Sequence, residues 1–113
     1  MEKLNRPAAE INLIFKWAKY QQVKKGIHEL ELLHNIPRGV KAGVPNIFWA
    51  LPRGVYHGLY IYVFTADIST RYSQNMWIEQ LTKNGYKVGI TTSRFEAKQL
   101  IMDYYNLPPY VVN

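Results

Sequence analysis

Cysteine is absent from this chain. Without a thiol there is no disulfide scaffold, no cysteine-ligated zinc or iron–sulfur cluster, and no thiol nucleophile. Acidic residues are few: eight Asp and Glu stand against fourteen Lys and Arg, for a net charge of +6. Long apolar runs are missing too. No stretch approaches the ~20 residues that cross a bilayer, and the first ten residues lack the pattern of a signal peptide. These absences describe a soluble, cytoplasmic protein. What is present fits one compact domain over residues 1–113, with 48% hydrophobic and 19% charged residues and no repeat, low-complexity tract or linker. A chain of this length buries roughly two-thirds of its unfolded surface, enough for one core. The basic surplus favours a polyanionic partner, since each phosphate contact releases condensed counterions. The cations are dispersed from Lys3 to Lys98. Nine tyrosines suit either a rigid core or a base-stacking surface.

Residues Ala8 to Lys25 have the apolar spacing of a helix through Ile11, Ile14, Phe15, Trp17 and Ala18, entered after Pro7 and stopped by Gly26. His28 to Ile36 reads as a strand ended by Pro37, and Arg38 to Pro45 as a loop. Asn46 to Leu51 is a short strand, joined through a turn at Pro52-Arg53-Gly54 to the strongest strand, Tyr56 to Thr65. Ser69 or Thr70 caps a helix that runs to Lys83, with Trp77, Ile78 and Leu81 as its apolar stripe, and Asn84-Gly85 ends it. Tyr86 to Thr91 alternates as a strand. Ser93 and Glu96 form a capping box for the last helix, which stops before Pro108. The order α-β-β-β-α-β-α predicts an α/β domain: a small mixed β-sheet flanked by helices.

Three segments read together carry a resemblance. They are Lys41-Ala-Gly-Val-Pro-Asn-Ile47, Tyr56-His-Gly-Leu-Tyr-Ile-Tyr-Val-Phe64, and Tyr72-Ser-Gln-Asn-Met-Trp-Ile-Glu-Gln-Leu81 followed by Asn84-Gly-Tyr-Lys-Val88. Their spacing resembles the VRR-NUC branch of the PD-(D/E)XK nuclease superfamily, common in phages and mobile elements. Its members read G-V-P-D, then G-L-x-I-E-x-K, then a glutamine before W-I and L-x-x-x-G-Y. The resemblance covers most of the chain and implies a restriction-endonuclease-like core. It also implies that the family's metal-holding aspartate falls at Asn46, its glutamate at Tyr62 and its lysine at Phe64. Hard cations need carboxylate oxygens and a developing phosphorane needs a nearby cation. Tyrosine and phenylalanine supply neither, so the resemblance points to a pseudo-nuclease with no metal and no cofactor. Gln74 keeps the position of the family's helix glutamine. The loop after Ile36-Pro37-Arg38-Gly39 is shorter than in relatives, which removes part of a DNA contact.

Strand alternation places Tyr60, Tyr62 and Phe64 on one face, either as filler of an abandoned cleft or as a stacking or protein-binding surface. Arg38, Lys41, Arg53 and Arg71 are the cations expected to flank that cleft. Glu10 reads as a solvated helix residue, Asp67 as a loop acid, and His28, His34 and His57 as structural or surface residues without metal-ligand spacing. No serine elbow, phosphate loop or dinucleotide fingerprint is present. Three functions follow from these readings. The first is a catalytically inactive nuclease-like domain of phage type that binds nucleic acid or a nucleoprotein complex. The second is a phage anti-defence protein of anti-CRISPR type, inhibiting a host nuclease complex by protein contact through the aromatic face, in the host cytoplasm. The third is an active metal-dependent nuclease with ligands relocated to Asp67 or Glu10. The apolar Tyr110-Val-Val112 end offers a packing surface for a homodimer.

Overall fold

The structure, a computed structural model, describes residues 7–37, 42–63 and 71–110. Helix α1 spans Pro7–Lys24. Proline suits a first turn because its missing N–H would have no intrahelical partner there. Gly26, at φ 72°, ends the helix, and the Ile27 N–H reaches back to the Gln21 carbonyl at 3.2 Å. That bond satisfies one of the carbonyls a helix end leaves open.

A 3-10 helix, His28–Leu32, comes next, followed by strand β1 at Leu33–Asn35. This corrects the single strand expected over His28 to Ile36. The alternation of Leu30 and Leu32 is misleading: Leu30 and Leu33 are buried, whereas Leu32 is exposed. A spacing of three residues matches one turn of a 3-10 helix. The bend is held from outside, since the Trp49 indole N–H donates to the Glu29 carbonyl at 2.8 Å.

Strands β2 (Ile47–Trp49), β3 (Leu59–Val63) and β4 (Lys87–Thr91) complete a sheet of order β1-β2-β3-β4. The first two pairings are antiparallel and β3 pairs β4 in parallel. A parallel neighbour requires a crossover, and helix α2 (Arg71–Lys83) provides it, lying against β4. The expected mixed α/β architecture and element order are therefore present. The β2–β3 connection is longer than a tight hairpin. Within it Arg53 bridges Tyr56 and also Pro109, tying the turn to the C-terminal segment.

Period-two alternation divides the sheet into two unlike faces. Ile47, Trp49, Leu59 and Ile61 pack with Ile11, Ile14 and Ala18 of α1 and with Ala97, Ile101 and Tyr104 of helix α3 (Arg94–Tyr105). The opposite face carries Phe48, Tyr60 and Tyr62, with the start of α2 beside it. That division positions the site, because Tyr62 lies on the face opposite the main core.

Helix α3 opens as expected in one half of its cap and not in the other. The Ser93 hydroxyl accepts the Glu96 N–H at 3.2 Å. The Glu96 carboxylate, however, takes the Thr92 N–H at 2.8 Å and not that of Ser93. Glu10 is a clearer departure from expectation, for it is not solvated. Its carboxylate accepts the Arg94 N–H at 2.7 Å and the Arg94 guanidinium at 3.0 Å. The first turn of α3 offers free N–H groups and a positive dipole end, and α1–α3 packing delivers a carboxylate to it. Glu10→Ala is expected to lower the unfolding free energy by about 1–2 kcal/mol. Chemical denaturation checks this. An unchanged midpoint would mean that the ion pair contributes nothing to α3.

Candidate functional site

The C-terminal ends of β3 and β4 lie side by side because these strands are parallel. Asn46 joins them from the start of the oppositely directed β2. Its side-chain amide oxygen accepts the Val63 N–H, and its backbone N–H donates to the Ile61 carbonyl at 3.0 Å. The one oxygen that asparagine could offer a cation is thus engaged with backbone. Tyr62 is 1% exposed. Its hydroxyl donates to the Gly43 carbonyl at 2.6 Å, and the Thr91 hydroxyl donates to the Tyr62 carbonyl at 2.7 Å. Burial pushes the Tyr62 hydroxyl up to about 12, so it is neutral and acts as a donor.

The turn that receives Tyr62 depends on glycine. Gly43 has a φ of 83°, and a Cβ there would sit 2.5 Å from the Ser73 backbone in α2. Both the left-handed conformation and the close approach need a residue without a side chain. Loop, tyrosine and α2 therefore close on one another where the family resemblance puts a carboxylate. Of the aromatics expected to share this face, Tyr62 is filler.

Tyr60 is only half-buried. It stacks on Phe48 at 4.3 Å between centroids and meets Tyr86 edge-on, while the exposed His34 meets the far side of Phe48. Burial, then the neighbouring Tyr86, raises the Tyr60 hydroxyl. These rings form a continuous row across the strands, following the register His34↔Phe48↔Tyr60. His57 and Tyr110 prolong it through a contact of 3.2 Å between the Tyr110 hydroxyl and Nδ1 of His57.

Of the four cations expected to flank the cleft, Arg53 is the one whose side chain is described. Arg53 is bound into the fold: its Nε donates to the Tyr105 carbonyl at 3.1 Å, its guanidinium lies over the Tyr105 ring, and Glu29 stands 3.9 Å away. Arg71 opens α2, and Gln74 lies in the first turn, half-buried. Arg38, Lys41, Phe64 and Asp67 lie outside the described residues, as do Val111 and Val112. Among the described residues no three His, Cys, Asp or Glu side chains converge as a metal-ligand set. None of the described helices is long and apolar enough to cross a membrane.

Sequence reasoning missed a basic and aromatic cluster at the same end of the sheet. Arg94 lies over the Phe95 ring at 4.5 Å, and the Lys98 ammonium is 5.6 Å from Phe95 and 5.8 Å from Trp17 of α1. The signal was legible as Arg94-Phe95-x-x-Lys98, a cation four residues from another and beside an aromatic, on the first turn of a helix.

No family model matches the chain, and no curated protein matches it. A solved structure described as a VRR_NUC domain protein is similar to it, with a TM-score of 0.82 and 26% sequence identity over 98% of this chain and 96% of that one. The chain therefore has a VRR-NUC-like fold, as the motif spacing leads one to expect.

Proposed function

We propose that this protein is a nucleic-acid-binding module built on a nuclease-like fold, and that it binds without cutting. One observation carries the reading. At the position where the resemblance calls for a metal-holding glutamate stands a buried tyrosine whose hydroxyl is bonded to Gly43 at 2.6 Å. The neighbouring Asn46 oxygen is engaged with the Val63 N–H. A divalent cation needs several oxygens facing an open space, and here that space holds a phenol. Around it, one buried core joins the sheet to helices α1 and α3. Selective loss of the ligands on a sound fold, together with a net charge of +6, favours retained binding.

The test is fluorescence anisotropy on labelled single- and double-stranded DNA across a salt series, with and without magnesium or manganese, the same samples then being run on a denaturing gel. The expected result is binding that weakens steeply with salt, intact probe, and no dependence on the metal. Absence of binding to either probe would overturn the binding half of the proposal, and metal-dependent fragments would overturn the other half.

A further inference from the structure

Phe95 is 65% exposed on the first turn of α3, a large ring held out in water. It does not stand alone. Arg94 lies over its ring at 4.5 Å, and Lys98, one helical turn on, sits between Phe95 and the half-buried Trp17. A cation near an exposed ring is weakly attracted by its quadrupole. The cluster begins three residues after Thr91, whose hydroxyl bonds to the Tyr62 carbonyl.

We infer that Arg94, Phe95 and Lys98, with Trp17 behind them, are the contact surface for single-stranded nucleic acid. This rests on the reading of the protein as a nucleic-acid-binding module. The chemistry selects that occupant in two steps. Lys98 has no carboxylate partner among the described residues, and Arg94 keeps donors beyond its bond to Glu10, so both present charge to a phosphate backbone. A protruding ring then needs a flat partner with an accessible face. Unpaired bases have one, whereas bases stacked within a duplex do not. An acidic peptide would satisfy the cations and leave Phe95 without a stacking partner.

The experiment measures anisotropy with labelled oligothymidine and with a duplex of equal length, each in a salt series. Phe95→Ala, Lys98→Glu and a charge control, Lys83→Glu at the far end of α2, are compared with the wild type. Thermal melts first establish that each variant is folded. Phe95→Ala is expected to weaken oligothymidine binding at least about fivefold, the lower bound for one base–aromatic stack, with less than about a twofold change for the duplex. Lys98→Glu is expected to weaken oligothymidine binding and to flatten its salt slope by about 0.7 or more. Lys83→Glu should do neither. Wild-type binding that Phe95→Ala and Lys98→Glu leave at the level of the control would overturn this surface while the nucleic-acid reading stands. Equal losses on both probes in Phe95→Ala would overturn the stacking contact. A wild type that binds neither probe would overturn the underlying reading and this surface with it.

Discussion

Replacing Tyr62 by alanine is expected to lower the unfolding free energy by about 3–5 kcal/mol, the range for truncating a large aromatic side chain in a core. The ring is 1% exposed and lies between β3, the Gly43 turn and the start of α2, so little can collapse into the space it leaves. A domain of this size has about 5–15 kcal/mol to lose in all. Tyr62→Ala should therefore lose a large share of the total, with a denaturation midpoint far below that of the wild type. Tyr62→Phe isolates the hydroxyl. It keeps the volume and leaves the Gly43 carbonyl without its donor, for an expected loss of about 1–2 kcal/mol. The ranking separates filler from surface. A side chain kept for stacking on a ligand would tolerate alanine with a loss below about 0.5 kcal/mol, as exposed positions do. Equilibrium denaturation of the three proteins decides between these outcomes, and a small loss for Tyr62→Ala would remove the main support for a closed site.

Much of the fold was legible because its signals are local. The apolar spacing of Ile11, Ile14 and Ala18, the dense β3 segment and the Ser93 cap each act through neighbouring residues. The parity of β3 was equally readable, and it put Tyr60 and Tyr62 opposite Leu59 and Ile61, as observed. Where expectation failed, a distant partner decided. The strand expected from His28 fails because Trp49, twenty residues on, bonds to the Glu29 carbonyl. Glu10 was misjudged because its partner, Arg94, lies 84 residues away. Arg53 looked free in sequence and is bound to Tyr105, which a turn composition cannot reveal. The site divides in the same way. That no acid stands at Asn46 or Tyr62, where the resemblance puts one, is visible in the letters, but the closure of Tyr62 onto Gly43 is a property of packing.

Alkaline pH should unfold the protein through that same hydroxyl. Burial pushes Tyr62 and Tyr104 each up to about 12 from the ordinary 10.0. Their hydroxyls donate to backbone carbonyls, Tyr62 to Gly43 and Tyr104 to Leu51, each at 2.6 Å, and a phenolate could not. In the unfolded chain both would lose their protons near pH 10, while the folded protein still holds them. Above that pH the unfolded state therefore binds fewer protons, and stability falls as pH rises. The stabilisation is fully present below pH 10 and is lost between about 10 and 12, on the order of 2–3 kcal/mol for each tyrosine. Urea titrations through this window should show wild-type stability falling more steeply than that of Tyr62→Phe, which retains the contributions of Tyr104 and Tyr60, and the difference between the two curves is the Tyr62 contribution. Lysine titration affects both proteins alike and cancels in the comparison. Parallel curves would mean that the Tyr62 hydroxyl ionises as freely as in water. The position where the resemblance puts a glutamate would then be open to solvent and, with it, to a cation.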